Sequence, residues 1–182
     1  MSWFNTFAIL VVAYGAVFFQ ASFNEPRQWL GAQVDLLPGL VVYASLSGGI
    51  TTVALVATCS GLWVDSLSAN PIGVSVLPLF LVGLAIQRSR ELILREQGFA
   101  QMILGAAATA TTTLLTLLLI INTHAQPLIG WFSVWQLIVV TAAGALITPV
   151  WFLCFDWIRQ ALNYHPLGES SFRADREIKR GR

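Results

Sequence analysis

Residues 36–64 read LLPGLVVYASLSGGITTVALVATCSGLWV, 29 residues without a formal charge. A straight helix of that length would rise about 43 Å, well beyond a hydrocarbon core about 30 Å thick. The stretch also contains Ser47-Gly48-Gly49, a turn signal. We read it as two short helices, about Leu36 to Leu46 and Gly49 to Val64. Neither is a comfortable lipid-exposed span. The first therefore has to be tilted, shielded by neighbours, or set where the membrane is thinned. The choice fixes the topology: one helix here gives five spans and an exterior N-terminus, whereas two give six spans and a cytoplasmic N-terminus.

The rest of the chain has the same character. Of 182 residues, 56% are hydrophobic and 10% are charged, against about 25% charged in an ordinary soluble domain. Formal charge is also absent from Met1 to Asn24, Ser66 to Gln87 and Gln97 to Phe155. A soluble core would need a polar outer face that such sequence cannot provide. Alternating barrel patterning is missing, and Leu114 to Ile121 is apolar on every side, which selects helices. The fold class expected is all-α: a polytopic membrane protein with a six-helix transmembrane bundle over 1–158 and a basic tail over 159–182.

The first span is expected from Trp3 to Phe23, ended by Asn24-Glu25-Pro26-Arg27-Gln28. With no basic residue before it and about 20 apolar residues, it reads as a retained helix rather than a secretory signal. The fourth runs from Pro71 to Gln87, followed by Arg88-Ser89-Arg90-Glu91-Leu92-Ile93-Leu94-Arg95-Glu96, which reads as a helical extension along the membrane surface. The fifth covers Phe99 to Ile121 and the sixth Trp131 to Trp157, with a kink at Pro149. Nine of the ten Lys and Arg residues lie either after the fourth span or in the tail. The positive-inside rule puts both regions, and with six spans the N-terminus, in the cytoplasm. Arg88, Arg90 and Arg95 then form a charged cytoplasmic surface that meets anionic lipid. A net charge of +1 gives no reason to expect nucleic acid.

Catalytic chemistry finds little support. Thr58-Cys59-Ser60-Gly61 invites a serine hydrolase, but no later span holds a His to act as base. Cys59 and Cys154 sit in separate apolar segments without His neighbours, so no metal site or cofactor is expected. His124 lies in a polar loop and His165 in the tail, each without acidic or thiol company. No line of acids crosses the bilayer to carry a proton relay. Asp156 stands three residues before Arg159, an ion-pair spacing at a helix end.

Asp65 is the ionisable group of most interest. Ala54, Ala57, Thr58, Gly61 and Asp65 share one helix face, whose small residues admit a neighbouring backbone. Asp65 precedes the turn Ser66-Leu67-Ser68-Ala69-Asn70-Pro71. It either binds a partner group or substrate, or caps that turn by accepting backbone N–H groups. Further small-residue faces run along Gly105, Ala108, Thr109, Thr112 and Thr116, and along Thr141, Gly144, Ala145 and Thr148. They are expected to serve internal packing before partner binding.

Together these features resemble a known family. A first span leads to a short helix opened by Leu37-Pro38-Gly39-Leu40. A second short helix ends in Gly61-Leu62-Trp63-Val64-Asp65. A turn then leads into Pro71-Ile72-Gly73-Val74, an apolar span and a basic segment. The layout from Ser2 to Trp157 resembles MreD, the rod-shape-determining membrane protein of bacteria, with the motif-like part confined to Gly61 through Val74. The resemblance implies a six-span bundle similar to the substrate-binding subunits of energy-coupling vitamin transporters. It implies a non-enzymatic scaffold in the inner membrane that binds the single-span protein MreC and supports peptidoglycan synthesis and rod shape, beside RodA, a class B penicillin-binding protein and MreB. Thr58, Gly61, Asp65, Pro71 and Gly73 are the candidate packing and partner-binding residues. The alternative is a small-molecule-binding transport subunit of the same architecture. For that role the exterior loops offer Glu25, Arg27, Gln28, Asp35, Asp65, Asn70, Asn122, His124 and Gln126, a thin set for a tight site.

Overall fold

The computed structural model describes residues 3–22, 31, 34–68, 71–90, 98–122 and 130–162. These residues form six α-helices. They are α1 (Trp3–Ser22), α2 (Leu37–Ser47), α3 (Ile50–Leu67), α4 (Val76–Ser89), α5 (Gly98–Asn122) and α6 (Trp131–Leu162). Four of them, α1, α3, α5 and α6, are long and apolar enough to cross a membrane, while α2 and α4 are shorter apolar helices. The expected break at Ser47-Gly48-Gly49 is present. Gly48 N–H closes α2 on the Ala44 carbonyl at 2.8 Å, and Gly49 opens α3. A Cβ on Gly48 would lie 2.8 Å from both the Ala44 oxygen and Thr52 Cβ, so the turn needs glycine there.

The length problem of α2 is solved by shielding. All 11 residues from Leu37 to Ser47 are buried, so the other helices stand between α2 and lipid. Ser45 and Ser47 return their hydroxyls to the carbonyls of Val41 and Tyr43, which satisfies them without leaving the helix. Tyr43 stacks on Phe155 with ring centres 4.2 Å apart and meets Phe152 edge-on at 5.1 Å, which locks α2 against α6. At its start, the Trp151 indole donates to the Leu36 carbonyl at 3.1 Å.

Between apolar helices in lipid, water gives no hydrophobic drive, so close packing and polar contacts must hold the bundle. The α5–α6 contact is a reciprocal one. Gly105 faces Thr148, and Gly144 faces Thr109, each too closely for any added Cβ. Each threonine also donates to the carbonyl of the glycine four residues before it in its own helix, Thr109 to Gly105 and Thr148 to Gly144. In both small-residue stripes these glycine and threonine residues therefore serve internal packing. Gly39 of α2 presses on Thr148 as well, and Gly83 of α4 on Val53 and Val41. The outer surface stays apolar: Trp3, Phe7, Val11, Tyr14 and Phe18 form an exposed stripe on α1. Helix α6 runs on through Pro149 to Leu162, past the expected end at Trp157.

Two ends of the bundle can be told apart. Thr6 near the start of α1 bonds Thr52 near the start of α3 at 3.0 Å. Gln87 and Arg90 at the end of α4 reach the Gly48 carbonyl, each at 3.4 Å. The start of α1, the α2–α3 turn and the end of α4 thus share one end. Gln20, Asp35, Asp65 and Ser75 lie towards the other. This relative placement is the one that six helices in alternating directions require.

Candidate functional site

The motif residues converge only in part. Asp65 is 2% exposed, and its carboxylate accepts the N–H of Gly73 at 2.7 Å and of Ser75 at 3.2 Å. Such charge-assisted bonds are worth roughly 1.5–3 kcal/mol each. Gly73 has φ 98°, a conformation that L side chains rarely adopt, and this turns its amide onto the carboxylate. One turn earlier in α3, a Cβ on Gly61 would lie 2.7 Å from the Val76 Cα. Gly61, Asp65 and Gly73 therefore build a single junction that sets where α4 begins. Thr58 is half-buried and donates within its own helix to Ala54 at 2.7 Å, and Pro71 is exposed. Neither joins the junction. The buried face of α3 comprises Ala57, Gly61 and Asp65 with Val56 and Ser60, while Ala54 lies at its edge.

Of the basic surface, Arg88 and Arg90 are exposed at the Gly48 end. Arg95, the 91–97 segment, the loop with His124 and the tail from 163 fall outside the described residues, as does the Arg159 side chain expected to pair with Asp156. Cys59 and Cys154 are half-buried free thiols. No cluster of three His, Cys, Asp or Glu able to hold a metal occurs among the described residues.

The opposite end holds a feature that the ionisable residues alone did not suggest. A cavity of about 340 Å³ lies among the helices, walled by Val17 and Gln20 of α1, Leu37, Leu79, Thr112 and Thr116 of α5, and Gln136 and Val140 of α6. Its origin is a mismatch of lengths. Helices α2 and α4, with 11 and 14 residues, span about 16 and 21 Å, against about 37 Å for α5 with 25. Both short helices end together at Gly48, so both fall short at the other end, and the long helices flank the remaining space.

Asp35 is the ionisable group on that wall. Its Oδ1 accepts the Leu37 N–H at 3.0 Å and the Gln20 amide at 3.2 Å. A carboxylate at the start of α2 also suits the positive end of the helix dipole. Asp35 lies outside the helical spans, and burial pushes its carboxyl above the ordinary value of 3.8, opposed by those two hydrogen bonds. Gln20 gives its amide to Asp35 and to the Val34 carbonyl, which leaves its own oxygen without a partner. Thr112, 5% exposed, has an unpartnered hydroxyl too. An orphaned buried polar atom costs about 1–3 kcal/mol. The sequence signal was weak because Gln20, Thr112 and Gln136 are uncharged residues inside apolar runs.

Comparison of the chain with protein-family models, with curated proteins and with solved structures gives no match in any of the three.

Proposed function

We propose that this chain is a non-enzymatic scaffold of a bacterial inner membrane, of the MreD kind, which holds a single-span partner such as MreC within the cell-elongation machinery. The observation that carries the reading is an apolar groove of about 330 Å³ between α4 and α5. Its floor and walls include Ala85, Ala107 and Ala108, flanked by Leu81, Leu104 and Leu115. Small residues let a partner backbone approach, and the larger ones give it ridges to pack against. The motif-like stretch supports the same reading indirectly, because the Asp65 junction fixes where α4, one wall of the groove, begins. In this reading both termini are cytoplasmic, and the Arg88 and Arg90 end faces anionic lipid and the MreB side, with RodA and the penicillin-binding protein reached through the partner.

The test is purification in mild detergent with a photo-crosslinking residue at Ala107 or, as control, at the exposed Leu153 of α6. Capture of a bitopic protein with a coiled coil and a periplasmic domain at Ala107 but not Leu153 is expected. Equal capture at both positions, or none, removes the groove as the partner site. The second reading, a small-molecule-binding subunit with the architecture of the vitamin transporters, is favoured by the cavity beside Asp35. Co-purification of an ATPase pair would select it.

A further inference from the structure

The cavity beside Asp35 is neither a packing defect nor a generic apolar void. Packing defects are lined by apolar atoms and stay dry, whereas this wall carries the Asp35 carboxylate with the polar side chains of Gln20, Thr113, Thr116 and Gln136. Asp35 retains surface, being half-buried, and it is a lining residue of the cavity. Its Oδ1 is occupied by Leu37 and Gln20, and among the described residues no hydrogen bond reaches Oδ2. Among the same residues no cation pairs with Asp35, and a carboxylate drawn partly out of water gains from a cation beside it. The Gln20 amide donates to Asp35 and so holds the carboxylate in place, while its own oxygen lies beneath the surface of the same corner. Away from that corner the wall is apolar, with Val17, Leu37, Leu79, Leu117 and Val140.

We infer that this cavity is a binding site for a small organic cation, a primary ammonium on an apolar body, with the ammonium on Asp35 and the body against Leu37, Leu79 and Val140. A volume of about 340 Å³ falls within the roughly 300–1,000 Å³ range of small-molecule sites. A primary ammonium brings three donors and no acceptor, which matches a corner offering acceptors. The charge also reverses the effect of burial on Asp35, since a nearby cation favours the ionised form. An anionic ligand would meet an uncompensated carboxylate, and a wholly apolar one would leave the acceptors unbonded. The inference rests on the cavity alone and stands whether the chain is a scaffold or a transport subunit.

The experiment uses the full chain in mild detergent, with thermal unfolding followed during titration with 2-phenylethylammonium chloride. Parallel titrations use 2-phenylethanol and 3-phenylpropanoate, which keep the apolar body and replace the charge. The expected result is a saturable rise in Tm with the ammonium, at least tenfold weaker apparent affinity for the alcohol, and none for the acid. Asp35→Asn keeps an oxygen for the Leu37 N–H and should weaken ammonium binding at least tenfold. Thr116→Phe leaves Asp35 intact, fills the space, and should abolish the response, so it decides the matter should Asp35→Asn fold poorly. No saturable response in the wild type overturns the inference. So does an equal response to all three probes, which is partition into detergent, or a response unchanged in both variants. Crosslinking at Ala107 is read independently, so failure of this site and failure of the scaffold reading are separate results.

Discussion

The two ends of this bundle are built from the same apolar alphabet and come out differently. At the Gly48 end the chain turns within Ser47-Gly48-Gly49, α4 ends against that turn, and Gly83 brings α4 onto Val41 and Val53. At the Asp35 end the two short helices stop early and leave about 340 Å³ among the long ones. Glycine placement closes the first end, and helix length opens the second. A bundle of six equal helices would need polar residues in neither place. Polar groups occur at both ends here: near Gly48 those of Thr6, Thr52, Gln87 and Arg90 are hydrogen-bonded, whereas near Asp35 the Gln20 oxygen and the Thr112 hydroxyl are not.

The largest expected effect breaks the closed half. Gly83→Leu drives a branched side chain into Val53 and Val41, where a single Cβ would already lie 2.6 Å from a methyl group. Overpacking of this kind costs typically 1–3 kcal/mol and occasionally more, and a site crowded from two helices belongs at the top of that range, about 3 kcal/mol. Thr116→Phe adds as many heavy atoms beside the cavity and should change stability by no more than about 0.5 kcal/mol. Reversible unfolding in mixed micelles measures both. Equal losses would mean that the two ends do not differ in packing.

Next comes the Asp65 junction, which lies between the two regimes. Asp65→Leu removes the acceptor for the half-buried Gly73 and Ser75 amides and leaves both unpaired, which should cost about 3 kcal/mol and lower folded yield. Asp65→Asn keeps the shape and one acceptor oxygen, so a loss near 1 kcal/mol is expected, with partner capture at Ala107 retained. Should Asp65→Asn fold and bind normally yet abolish function in cells, the charge itself is functional and the junction is more than a brace. Gly73→Ala tests the same brace through the backbone. At φ 98° an added Cβ is strained although space is open, and a cost of about 1–2 kcal/mol should appear in the unfolding midpoint.

Much of the closed half was legible in the sequence. The break at Ser47-Gly48-Gly49 follows from a length that no single span can use; towards the other end, Asp65 was legible as a ligand group or as a cap on the turn after it, and it bonds the Gly73 and Ser75 amides just beyond that turn. The stripes holding Gly105 and Thr109, and Gly144 and Thr148, are visible as small residues four apart, but their reciprocal fit needs the antiparallel register of two helices. Shielding of α2 was one of three options its length left open, and composition could not choose among them, because a helix apolar on every side suits lipid and protein interior alike. The cavity is least legible. It depends on which ends of α2 and α4 are flush, and its polar lining from Gln20, Thr112 and Gln136 carries no charge. Among its lining Asp35 had stood out as one member of a thin set of loop residues, and Thr112 and Thr116 only as part of a small-residue face.

The smallest expected effect is also the most telling about the open end. Thr112→Val swaps a hydroxyl for a methyl of nearly the same shape. Elsewhere in a core that change is costly, because a satisfied hydroxyl loses its bond. The Thr112 oxygen has no bond to lose. Replacing an unsatisfied polar group by an apolar one of the same shape is close to neutral or stabilising. The unliganded protein should therefore gain up to about 0.5 kcal/mol. Thr109→Val provides the contrast on the same helix, since its hydroxyl donates to Gly105 at 2.8 Å and packs on Gly144, and it should lose about 1 kcal/mol. If Thr112→Val instead destabilises as much as Thr109→Val, the hydroxyl is bonded in solution, by water or by a bound molecule. Repeating the pair with saturating 2-phenylethylammonium separates those cases. A hydroxyl that serves the ligand costs more to remove when the ligand is present, whereas one that holds water costs the same or less.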